Sequence, residues 1–138
     1  MSRRKGDDKM EEWEQLLRKA GYTLEDVDKA FTLKKEELKR KKTMREKRPL
    51  GEHIETTVGK FVTMKQSDYP LKMYVLQEMN KWQYIRIGYY IVSLKKLKEE
   101  GKLQIVWGQF NPTFPKEDLS LLLKKAQKEG IIDMNQKN

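Results

Sequence analysis

The chain has 138 residues, 37% of them charged and 37% from the hydrophobic set, and a formal net charge of +9. Counting the eight glycines raises the apolar share to about 43%, just below the usual ~45–50%, which predicts one domain with a thin core and a heavily solvated surface. Cysteine is absent, which excludes disulfides, thiolate chemistry and Cys-ligated zinc, and no apolar run nears the ~18 residues of a membrane span.

The basic N-terminus has no apolar run behind it, so a secretory leader is not expected and a cytoplasmic location is. The first helix is predicted from Lys9 to Ala20, capped by Asp8 with Glu11 three residues on. Met10, Trp13, Leu16, Leu17 and Ala20 form its apolar stripe, and Gly21 ends it. Thr23 caps a second helix carrying Leu24, Val27, Ala30 and Phe31. Leu16, Leu17, Ala20, Gly21, Val27 and Ala30 also fit a helix-turn-helix, but Glu25, Asp26 and Asp28 would then face phosphate. A plain helical hairpin is the better reading.

Residues 33–48 carry nine Lys/Arg against three Glu, or +6 of the whole +9. Their composition favours helix, with a break at Thr32 and an end at Pro49 and Gly51. Leu33, Leu38 and Met44 are the only large apolar residues there, too few for a deeply buried face. Such a helix repels itself, and the phosphates of DNA or RNA would relieve that. Lys34, Lys35, Lys39, Arg40, Lys41, Lys42, Arg45, Lys47 and Arg48 are the candidate contacts, with Arg3, Arg4 and Lys5 as a second arm. Against this stands a solvated helix whose Glu36 pairs with Arg40 and Glu37 with Lys41.

The middle reads as an antiparallel meander of three or four strands. "HIETTVGKFVTM" is interrupted by Gly59, and "KMYVLQEM" meets "WQYIRIGYYIV" at an Asn80-Lys81 turn. Residues 71–79 also admit a short helix. "SLKKLKEEGK" reads as a charged loop before "KLQIVWGQF". In the strand at 84–92, Ile85, Ile87, Tyr89 and Ile91 are expected toward the core. Tyr84, Arg86 and Tyr90 would then lie open around Gly88 as a platform for unpaired bases, widened by Trp82 and Trp107. The competing reading packs both faces under helices. The last helix starts at Pro115, has Glu117 and Asp118 at its positive end, and shows Leu119, Leu122, Leu123 and Ala126 as its stripe. Gly130 and Ile131 make its cap, and residues 133–138 a frayed tail.

Catalytic patterns are weak. Glu52, His53 and Glu55 would offer a divalent metal only one imidazole, and Glu100-Gly101-Lys102 with Asp68 sits in a turn. The expected architecture is α+β: a helical region over 1–51 with a basic extension, then sheet and C-terminal helix over 52–132. The expected function is non-catalytic nucleic-acid binding through phosphate, with no cofactor and no membrane. An accessory module docking on an acidic protein is the first alternative, and a small metal-dependent nuclease the second.

Overall fold

The computed structural model describes residues 10–47, 53–81 and 83–135, and at 44–47 and 53–56 the backbone alone. Helix α1 (Glu12–Ala20) opens on a capping box in which the Glu11 carboxylate accepts the Glu14 amide and Glu14 takes the Glu11 N–H at 3.2 Å. The expected cap, Asp8, lies outside the described residues. Gly21 ends α1 at φ 87°, where a side chain would be strained. Helix α2 (Leu24–Arg40) is capped by Thr23 as expected: its hydroxyl accepts the Asp26 amide, and the Asp26 carboxylate takes the Thr23 N–H at 2.8 Å. There is no break at Thr32. Its hydroxyl donates to the Asp28 carbonyl one turn back, at 3.0 Å, and the helix runs on.

The basic extension is helical through Arg40 and then changes state. Lys41 is extended at φ −75° and ψ 133°, and residues expected to carry the helix to Pro49 instead form strand β1 (Thr43–Lys47). The competing force is the ladder. β1 pairs antiparallel with the start of β2 (His53–Gln66), placing Thr43 opposite Thr57 and Lys47 opposite His53. Tertiary pairing of this kind overrides a modest helix propensity.

β2, β3 (Tyr69–Met79) and β4 (Tyr84–Val92) make the predicted meander, so residues 71–79 are strand. Asn80 and Lys81 turn it at φ 50° and 54°. The expected loop after β4 is instead a helix, α3 (Leu94–Glu100): Ser93 accepts the Lys96 amide, Lys96 pairs with Glu100, and Gly101 closes it at φ 65°. β5 (Ile105–Trp107) and β6 (Thr113–Pro115) both pair with β4, completing one antiparallel sheet. Helix α4 (Lys116–Lys128) leans on β6 and β4. The amides of Gly130 and Ile131 bond back to the Gln127 and Ala126 carbonyls, closing the expected glycine cap.

The core lies between α1, α2 and α3 and one face of this sheet. Leu17, Val27, Phe31, Leu38 and Leu97 come from the helices, and Leu71, Met73, Val75, Tyr90, Val92 and Ile105 from the strands. Register puts Met73 opposite Tyr90, Val75 opposite Gly88 and Gln77 opposite Arg86. The face of β4 predicted to be open is therefore the one under the helices, and Ile85, Ile87, Tyr89 and Ile91 lie on the outer face. That outer face is only partly covered. Ile85 is buried, but Val62, Met64, Tyr74 and Leu76 are exposed, and no residue of α4 is fully buried.

Candidate functional site

The site begins with an irregularity in β2. The pairing of β2 with β3 slips between Val58 and Phe61, leaving Gly59 and Lys60 out of the ladder. A glycine inside a strand pattern marks such a bulge. The Lys60 amide is satisfied sideways, donating to Glu78 Oε1 at 3.1 Å. Up to Thr57, β2 belongs to the β1 hairpin; from Val58 it belongs to β3. Two further bonds pin this corner: Val58 N–H to the Lys42 carbonyl, and Asn80 N–H to the Thr57 carbonyl. The first ties down the α2–β1 turn and the second the β3–β4 turn.

These constraints gather residues far apart in sequence around one cleft of about 1090 Å³. Its floor is apolar, made by Leu38, Val58, Phe61, Val62 and Leu76. Its rim is cationic, made by Lys39 and Lys41 with Lys42, Lys60 and Lys81, against the single carboxylate of Glu78. Lys39 meets Glu36 at 3.4 Å, and Lys60 lies within electrostatic reach of Glu78. Lys41, Lys42 and Lys81 have no carboxylate partner among the described residues. Glu78 does little to offset them, because Lys116 pairs with it at 3.2 Å. The hydrogen bond from Lys116 and that from the Lys60 amide hold its carboxyl below the usual range despite some desolvation, so it stays ionised.

The sequence-predicted cations are thus divided among several places. Lys39, Lys41 and Lys42 reach the cleft, and Lys34 and Lys41 line a second cavity behind it. Lys35 and Arg40 line neither. Arg45 and Lys47 occupy register positions on β1 opposite Glu55 and His53. Arg48, Glu52, Trp82 and the Arg3-Arg4-Lys5 arm lie outside the described residues. The predicted Glu36–Arg40 and Glu37–Lys41 pairs give way to Lys39–Glu36 and Lys34–Glu37 at i,i+3. Lys60, Lys81 and Phe61 were not singled out from the sequence. Gly59 and the Asn80-Lys81 turn were the available signals.

The expected base platform is interior. Arg86 is 4% exposed, its guanidinium donating to Gln77 Oε1 at 2.7 Å and lying 4.7 Å from the Trp107 ring centroid. Tyr90 is buried, meeting the Trp107 ring edge-on at 4.7 Å. Burial raises its hydroxyl pKa, with Glu37 adding to the shift and Arg86 opposing it. Gly88 does permit a close approach, but its guest is Trp107: a Cβ there would lie 2.4 Å from the indole. Tyr84 is half-buried opposite Met79 and Pro115.

Among the described residues no His, Asp and Glu cluster is arranged to hold a metal, and no helix is long and apolar enough to cross a membrane. Glu100 ends α3 and pairs with Lys96 and Lys102, while Asp68 accepts a bond from Gln66 in the β2–β3 turn. No family model matches the chain, and no curated protein or solved structure is significantly similar to it.

Proposed function

We propose that the chain is a cytoplasmic, non-catalytic binder of single-stranded nucleic acid, held at the lysine-rimmed cleft. One observation carries this reading: five lysines from three separated parts of the chain ring an apolar floor. A duplex buries its bases and offers a protein mostly phosphate. A single strand offers phosphates to cations and unstacked bases to an apolar surface, with Phe61 as the aromatic member of this one. Direct reading of base identity is not part of the proposal.

The test is a binding panel of single- and double-stranded DNA and RNA, without metal, at several salt concentrations. With four phosphates neutralised, log K against log salt should fall with a slope of about −3 for a single strand. Charge reversal at Lys42, Lys60 and Lys81 should abolish binding, and reversal at Lys35 and Arg40 should weaken it far less. Wild-type binding that ignores salt, or equal losses in the two sets, would refute the cleft as the interface.

A second reading has its own support. The floor is mostly aliphatic and continues through Val62 and Leu76 onto the exposed outer face of the sheet. An acidic protein segment with one apolar side would fit that surface as an accessory contact. It predicts no shift of any nucleic acid, but capture of a Glu/Leu-rich amphipathic peptide that the same three charge reversals abolish.

A further inference from the structure

A second cavity, of about 530 Å³, lies between α2 and the buried face of the sheet, and shares Leu38, Lys41 and Val58 with the cleft. Gln77, only 1% exposed, and Trp107 are on its wall. A guanidinium has donors only, so the Gln77 amide must turn its oxygen toward Arg86, as it does at 2.7 Å. That fixes the amide nitrogen on the other side, where it is buried with no acceptor among the described residues. The Trp107 indole Nε1 is in the same condition. Buried donors without acceptors are destabilising, and what this wall calls for is acceptor atoms. The charge agrees: Lys34 and Lys41 outnumber Glu37, and Lys34 already meets Glu37 at 3.6 Å.

We propose that this cavity binds a phosphate monoester, its oxygens accepting from Gln77 Nε2 and Trp107 Nε1 on one side and from Lys34 and Lys41 on the other. A tetrahedral oxyanion presents acceptors in every direction, whereas a carboxylate presents them in one plane. The cavity is far larger than an ion and within the ordinary range for small-molecule sites, so the ester's organic part has room beside Tyr90. The monoester is either a free nucleoside monophosphate or the 5′ end of a strand lying in the adjoining cleft. The proposal stands without the second source.

The experiment is a titration of the full chain with AMP and with inorganic phosphate, followed by 1H–15N NMR. The three tryptophans give three indole signals, and Trp107→Phe identifies one of them. The Trp107 indole and the Gln77 side-chain amide should shift saturably with AMP and stay still in chloride of equal ionic strength. Trp107→Phe, which keeps a ring over Gly88, should weaken AMP about fivefold to tenfold. Gln77→Glu still accepts from Arg86 but aims a carboxylate at the phosphate, and should abolish binding. Tighter binding of a 5′-phosphorylated strand than of its 5′-hydroxyl counterpart would assign the strand end as the source. Equal strand affinities with a saturable AMP shift would assign the free nucleotide. Signals that ignore AMP and phosphate, or that move equally with chloride, overturn the site. Reversal at Lys42 and Lys60, which do not line the cavity, should remove strand binding and leave the AMP shifts unchanged, so the two proposals fail separately.

Discussion

The two faces of the sheet are built by the same strands and live under different rules. On the helix side Leu71, Met73, Val75 and Val92 are almost fully buried, and even Gln77 and Arg86 are held inside. On the other side Val62 is 64% exposed and Met64 63%, although both are as apolar as anything in the core. The helices decide which face is interior, and side-chain polarity follows only in part. α2 lies over β3, and its Phe31 and Leu38 are what the buried face packs against. The open face gains little from its apolar residues in the isolated chain, and two of them, Val62 and Leu76, reach the cleft beside Leu38, Val58 and Phe61 from the helix side.

The largest expected effect tests this directly. Phe31→Ala, which empties a site only 2% exposed, should cost about 3–5 kcal/mol. Val62→Ala on the open face, where the residue is 64% exposed, should cost less than about 1 kcal/mol, since most of the deleted surface was never removed from water. Urea unfolding of both variants measures the gap, and equal losses would mean that the outer face is a second core.

An intermediate effect is expected at Gly88, where the buried face has no spare volume. Gly88→Ala sets a Cβ against the indole of Trp107 and should destabilise by about 1–3 kcal/mol, with a change in tryptophan fluorescence as the ring is displaced. The control is Gly101→Ala, where a Cβ meets nothing within 4 Å and only the left-handed backbone at φ 65° opposes it. It should cost about 1 kcal/mol, with the fluorescence unchanged.

The smallest effect on stability, and the most informative for the cleft, concerns Glu78. Lys116 and the Lys60 amide favour its ionised form, so its folded-state pKa lies below the unfolded one. The stabilisation from this group is complete above the unfolded value and is lost as pH falls through the folded value. Anion affinity should run the opposite way: flat from pH 7 down through the ordinary carboxylate range, and rising only below it, as the one carboxylate on the rim is neutralised. Glu78→Gln should bind strands more tightly at pH 7 and abolish that rise. A rise that persists in Glu78→Gln would place the responsible carboxylate elsewhere.

Much of the fold was written in local patterns. Thr23, Gly21 and Gly130 mark helix ends because their chemistry acts within four residues, and Asn80-Lys81 marks a turn for the same reason. Ser93 and Gly101 bracket α3 just as clearly, but the charge of the intervening residues disguised it as a loop. The faces of β4 were misread because its three isoleucines outweighed the rest of the strand. The neighbouring strand held the correction: Lys72 and Glu78 share a face of β3 that register aligns with those isoleucines, while Met73 and Val75 align with Tyr90 and Gly88. The cleft was the least legible feature. Lys39, Lys60 and Lys81 are brought together by a one-residue slip in a ladder, which no local window records.

That slip also leaves a border. Once β2 has passed from β1 to β3, residues 61–66 have no second strand beside them among those described. An uncovered margin next to Val62 and Met64 invites stacking of one copy on another, the first step toward fibrils. Lys65 stands on that margin, tethered to Asp28 of α2, and Lys60 precedes it. Two copies meeting there would have to force like charges together and break that tether, so Lys65 and Lys60 oppose polymerisation along this margin.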